Sequence, residues 1–166
     1  MPTSGYSKTQ IKVADELFLC LALLHREKPE RTSFKIPEIL ERAAREGLGE
    51  PRPGLKQHAY EHAAANRPPG QGKYRMVFRE ADNTIRLLRP SDYVDPRRDG
   101  KRWPRLEDIP ERYHELVAWS KARYERDEAM PPRWLDGLLQ LRGLGKEIWQ
   151  GVDADEYVRG LREGWE

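Results

Sequence analysis

The chain has 166 residues, room for one ordinary domain and an appendage. Its longest apolar run, Leu17–Leu24, is far short of the roughly 20 residues a membrane-spanning helix needs. A single cysteine, Cys20, excludes an intramolecular disulfide and fits a reducing cytoplasm, with the thiol as a core residue. Asp15 and Glu16 precede the apolar run where a secretory signal would be cationic, so the expectation is a cytoplasmic protein without a membrane partner.

Charge is segregated along the chain. Residues 1–51 are balanced, with 8 Lys/Arg against 8 Asp/Glu. Residues 52–105 carry 13 against 6, and residues 106–166 carry 9 against 14. A cationic centre points to a polyanionic partner, and the acidic C-terminal third to a different role.

In chain order, Thr9–Arg26 reads as a helix with Thr9 as N-cap. Ile11, Ala14, Leu17, Phe18, Leu21 and Leu24 recur at helical spacing and form one core-facing stripe. Pro29 breaks this helix, and Thr32–Ile36 is short and extended because a proline follows Ile36. A second helix starts at Pro37 and reaches about Glu46, where Gly47-Leu48-Gly49 ends it.

Leu55–Ala65 reads as a third helix. Leu55, Ala59 and Ala63 face inward; Lys56, Gln57, Tyr60, Glu61 and Ala64 face out. After Asn66–Gly72 come two strand-like runs, Lys73–Arg79 and Thr84–Arg89, joined by Ala81-Asp82-Asn83. Alternation assigns Tyr74, Met76, Phe78, Ile85 and Leu87 to an apolar face and leaves a mostly cationic opposite face. Thr32–Ile36 is placed to pair with this ribbon as its third strand.

This is winged-helix order: a helix suited to the major groove, then a basic ribbon suited to the backbone. The residues expected on duplex DNA are Lys56, Gln57, Tyr60, Arg67, Lys73, Arg75 and Arg86. Arg97, Arg98, Lys101 and Arg102 follow in a Pro- and Arg-rich stretch, residues 90–110. That stretch is either an arm across the phosphates or a connector packed down by Tyr93 and Trp103. Glu111–Asp127 is a further helix, for a core or a homodimer interface.

His58 and His62 are four apart, a metal-chelating spacing, but no third ligand accompanies them. Packing or hydrogen bonding to the neighbouring loop is the expected use, with no metal and no cofactor. Gly143-Leu144-Gly145-Lys146 lacks the first glycine and the Ser/Thr of a phosphate-binding loop. No nucleophile–base set is present, so the chain does not read as an enzyme.

Met130-Pro131-Pro132 marks a second boundary. Beyond it, Trp134, Leu135, Leu138, Leu139 and Leu141 give one short helical pattern. A second begins at Asp153, which with Glu156 resembles a capping box, and continues through Tyr157, Val158, Leu161 and Trp165. Trp134, Trp149 and Trp165 are too large for so short a segment to bury alone, and they call for a covering surface.

Two resemblances add to this. Residues 10–125 resemble a bacterial winged-helix-like domain of unknown function. The matching stretches include Pro53-Gly54, His58, Ala65-Asn66-Arg67-Pro68-Pro69, Lys73-Tyr74-Arg75, Arg86-Leu87, Arg89-Pro90, Asp92 and Arg98-Asp99-Gly100-Lys101. The tail is similar to the C-terminal segment of antitoxins paired with PIN-domain toxin ribonucleases. The residues that carry this are Leu138–Trp149, Asp155-Glu156-Tyr157-Val158-Arg159, Leu161-Arg162 and Trp165. Such antitoxins usually bind operator DNA through a small ribbon or swapped-hairpin dimer, and here a winged-helix-like domain stands in that place. The tail resemblance implies toxin contacts at Leu138, Lys146, Trp149, Tyr157, Arg159, Leu161, Arg162 and Trp165, and Trp134 joins them as a large aromatic that wants a partner's pocket. Arg162 and then Arg159 are the cations suited to the acidic metal site of such a nuclease.

The expected architecture is α+β and mainly helical, a winged helix-turn-helix with a helical C-terminal extension. Residues 9–90 would be the DNA-binding domain, 91–130 a basic connector and helix, and 131–166 the partner-binding tail. The expected function is an antitoxin-like DNA-binding protein. The rivals are a stand-alone winged-helix regulator, a DNA-binding module of a phage-defence or restriction system, and a protein–protein adaptor.

Overall fold

A computed structural model describes residues 11–48 and 54–130, together with Asp153 and Arg159. The chain divides into two compact units, Met1–Met130 and Pro131–Glu166, and the description below concerns the first.

Its elements follow the chain in simple order. Helix α1 spans Val13–Glu27 and helix α2 spans Ile36–Glu46. Helix α3, Gly54–Gln57, continues as a π-helical turn, His58–His62. Strands β1, Val77–Arg79, and β2, Ile85–Leu87, form an antiparallel pair. Two short 3-10 turns, Leu106–Asp108 and Glu111–Tyr113, lead into helix α4, His114–Ala129. The unit is α+β with helix predominant and a small two-stranded sheet.

Helix α1 is the axis. Its sequence gives an apolar stripe, but Leu19, Cys20 and Ala22, which lie off that stripe, are buried as well. A helix apolar on all sides must be enclosed on all sides. α2, α3 with its π turn, β2 and α4 supply that enclosure, each lying against α1. Cys20 has no exposed surface, and burial pushes its thiol up to about 12, so it acts as a small core residue and not as a nucleophile.

The sheet has more partners than two strands. Phe34 and Ile85 exchange both backbone hydrogen bonds, at 2.9 and 2.8 Å, so the extended 32–36 segment does meet the ribbon, as a single bridge. On the other side the Ala63 carbonyl accepts both the Met76 and Val77 amides, at 3.2 and 3.1 Å. The Ala65 amide then donates to the Val77 carbonyl at 2.8 Å. These bonds stop the third helix at His62, earlier than its apolar period suggests, because residues 63–65 turn to pair with β1.

The same doubled acceptor shifts the alternation in β1. The register pairs Val77 with Leu87, Phe78 with Arg86 and Arg79 with Ile85. Opposed residues share a face, so Val77 faces the core with Ile85 and Leu87, and Phe78 lies on the other face. Met76 is also buried, from the irregular segment before the strand. The expected apolar face is therefore buried at Met76 and Ile85, half-buried against the core at Leu87 and Tyr74, and displaced by one residue at Phe78.

Residues 91–130 are not an appendage. Ile109, Tyr113, Leu116 and Val117 belong to the same core cluster as α1. The Tyr113 hydroxyl donates to the Glu46 carboxylate, which ties the start of α4 to the end of α2. Trp103 packs against this core, whereas Tyr93 is exposed, so of the two aromatics only Trp103 packs the connector down.

Candidate nucleic-acid interface

The residues expected on DNA divide into two groups in space. Lys56 and Gln57 are exposed on α3. Tyr60 follows on the π turn with cations over its ring. The Arg79 guanidinium is 4.4 Å and the Lys56 ammonium 6.0 Å from the centroid. The Asn83 Oδ1 in the hairpin turn holds Arg79 in this position, accepting from Nε at 3.0 Å and Nη2 at 2.6 Å. Asn83 takes a left-handed φ of 64°, which asparagine tolerates better than most residues. The turn thus aims a hairpin cation at the helix, and an aromatic joins the two elements. Arg79 was not among the expected contacts. Its place after Val77 in the cationic alternation was the available signal.

Arg67 and Lys73 are exposed nearby in sequence, on the loop between the π turn and β1. Lys73 reaches Asp99 only at 3.9 Å. Arg75 is half-buried, and its Nε donates to the Gly100 carbonyl at 2.9 Å.

The second group is interior. Arg86 is 5% exposed. It donates from Nε to Glu80 at 2.6 Å and bidentately to Asp92 at 2.6 and 2.7 Å, with its guanidinium 4.2 Å from the Phe78 ring centroid. Arg98 is 3% exposed and reads backbone instead of solvent. Its Nε donates to the Arg67 carbonyl at 2.7 Å, and Nη1 to the His62 and Tyr74 carbonyls at 2.9 and 2.8 Å. Nη2 donates to the Glu61 carbonyl, and longer contacts reach the Gly72 and Pro68 carbonyls. Burial pushes its pKa down. This guanidinium fastens the π turn, the 66–72 loop and the approach to β1 to one point.

Lys101 donates to Asp15 at 2.8 Å, and the Asp15 carboxyl, fully buried, has its pKa raised by burial in spite of that partner. Arg102 lies over Tyr124 and Trp103, at 4.6 and 5.3 Å from the centroids. Arg97 is exposed, but Asp95 accepts from it at 3.0 and 2.8 Å. The Pro- and Arg-rich stretch is consequently a connector held largely by its own cations, and of the expected arm across the phosphates Arg97 and Arg105 are at the surface. Arg86 and Arg98 are withdrawn from any surface a duplex could touch.

The two histidines behave as loop anchors. His58 Nδ1 lies 2.9 Å from the Gly54 carbonyl, and the Gly72 amide donates to His62 Nδ1 at 3.4 Å. Their rings meet edge to face at 4.9 Å, and burial lowers the His58 pKa. Among the described residues no group of three metal-ligating side chains forms. Of the expected toxin contacts only Arg159 is described, exposed and helical. Trp134, Leu138, Lys146, Trp149, Tyr157, Leu161, Arg162 and Trp165 lie outside the described residues.

No protein-family model, curated protein or solved structure matches this chain. No helix among the described residues is long and apolar enough to cross a membrane.

Proposed function

We propose that the first unit is a winged helix that binds duplex DNA through the outer face of α3 and its π turn. The carrying observation is the group Lys56, Gln57, Tyr60 and Arg79, where a helix and a hairpin present cations around one aromatic ring. Lys56 and Gln57 are side-chain types that read base edges. Arg67 and Lys73 supply phosphate contacts beside them. The element order and the Phe34–Ile85 bridge support the winged-helix reading, with the extended segment as a minimal third strand.

The proposal extends to the tail. Residues 131–166 neutralise a PIN-domain toxin ribonuclease, with Arg162 and Arg159 directed at its acidic metal site. This part rests on the sequence resemblance. Its test is removal of residues 131–166. The truncated chain should keep its melting temperature and its DNA binding and fail to rescue growth when a PIN-domain nuclease encoded beside it is expressed. Unfolding of the first unit on truncation, or a neighbouring gene without a nuclease-like product, would assign the tail a structural role in a stand-alone regulator.

A further inference from the structure

A shallow cleft, open to solvent, lies where the end of α1 meets β2 and α4. Its walls are His25, Leu87, Leu88, Arg89, Ser120, Arg123, Tyr124 and Asp127. None of these residues belongs to the α3 face. Ser120 is 5% exposed, and its Oγ has no hydrogen-bond partner among the described residues. A buried serine on a helix normally satisfies itself on its own backbone. An unsatisfied hydroxyl in a cleft wall is a donor held without an acceptor.

Two guanidiniums flank it. Arg89 and Arg123 lie within 4 Å of no carboxylate among the described residues, and Arg123 also reaches over the Trp119 ring, 5.7 Å from its centroid. They are near enough to disfavour each other's charge, and burial lowers the Arg89 pKa. Asp127 is the carboxylate on the wall, at a distance beyond an ion pair, and Asp92 nearby is already engaged by Arg86. Two guanidiniums against one carboxylate leave the wall cationic. His25 Nε2 accepts the Leu87 amide at 3.4 Å, which fixes the ring as a neutral wall and not a competing cation. Gathering like charges around a cleft costs stability unless something of opposite sign occupies it.

We propose that this cleft binds a small oxyanion of the phosphate class, with Arg89 and Arg123 as the charged donors and Ser120 Oγ as the third. Guanidiniums suit such a ligand because their planar donors match two oxygens at once. The site is independent of DNA binding on α3. It lies directly behind β2, so occupancy would stiffen the strand that carries Arg86 and the end of the hairpin.

The test uses the full chain and inorganic phosphate. Backbone amide resonances are followed during titration, with chloride at matched ionic strength as the control. The expected result is a saturable shift of Leu88, Arg89, Ser120 and Arg123, absent with chloride. Arg89→Gln and Arg123→Gln should each weaken binding by about tenfold or more, from loss of a charge-assisted contact. Arg126→Gln, an exposed cation on the same helix, should leave it unchanged. Both cleft variants are checked for unchanged folding by their remaining amide spectra, and Ser120→Ala serves as a further arm if either fails. Shifts that track ionic strength, do not saturate, or survive both arginine replacements overturn the proposal. So do shifts at these residues that a short duplex produces and inorganic phosphate does not.

Discussion

Arg98 shows how much one side chain decides here. Its buried donors gather carbonyls from Glu61 to Tyr74 onto one guanidinium. Arg98→Lys keeps the charge but cannot span those directions, and orphaned buried carbonyls cost stability. The variant should unfold at a free energy lower by about 3 kcal/mol or more in urea titration. A loss below about 1 kcal/mol would mean that water replaces the guanidinium freely. His25 gives a second residue-scale expectation. Burial, then the charges of Arg123 and Arg89, push its pKa down to about 3. The unfolded imidazole titrates near its ordinary value, so between those limits the unfolded state binds the extra proton. Stability from this site is complete above the unfolded pKa and falls as pH drops through the window toward 3. His25→Gln should therefore flatten the acid limb of a stability–pH curve, and an unaltered limb would assign the acid sensitivity to carboxylates.

At the scale of elements, periodicity made the helices legible and side-chain type did not reveal the sheet's details. α2 runs from Ile36 to Glu46, close to its expected span, because Pro37 and Gly47 punctuate it and Gly47 takes a left-handed φ of 62°. The third helix and β1 were less legible. Nothing in the residue types of 63–77 announces that the Ala63 carbonyl serves two amides, and that doubled acceptor both shortens the helix and moves Phe78 to the opposite face. Arginines were the hardest to place, since a surface arginine and an arginine caged by carbonyls look alike in sequence. Glu80 and Asp92, six residues before and after Arg86, were the visible hints of internal partners. Loop 95–101 illustrates the required fit. A Cβ on Gly100 would stand 2.5 Å from the Lys73 carbonyl oxygen and 2.9 Å from the Tyr74 nitrogen, both backbone atoms. Gly100→Ala should cost about 2–3 kcal/mol by forcing this strap off the approach to β1, measurable as a lower urea midpoint with unchanged slope. A midpoint equal to that of the parent chain would show that the strap moves without penalty.

For the whole molecule, the net charge of +2 is a poor guide and its distribution a better one. Much of the central excess is internal: Arg86, Arg98 and Lys101 are consumed by Glu80, Asp92, backbone carbonyls and Asp15. Among the described residues of this central region, Lys56, Arg67, Lys73, Arg97 and Arg105 are exposed, and Arg79 is half-buried over Tyr60. The proposed DNA binding is therefore modest in its electrostatic part. The most direct test is the salt dependence of duplex affinity for the full chain and for Lys56→Ala and Arg67→Ala. Each phosphate contact contributes about 0.9 to the slope of log affinity against log salt. Binding should saturate at low salt, with Arg67→Ala reducing the slope by about one contact on every sequence. Lys56→Ala should weaken binding without lowering the melting temperature. Absence of binding at low salt, or a slope unchanged in both variants, would contradict the proposed binding.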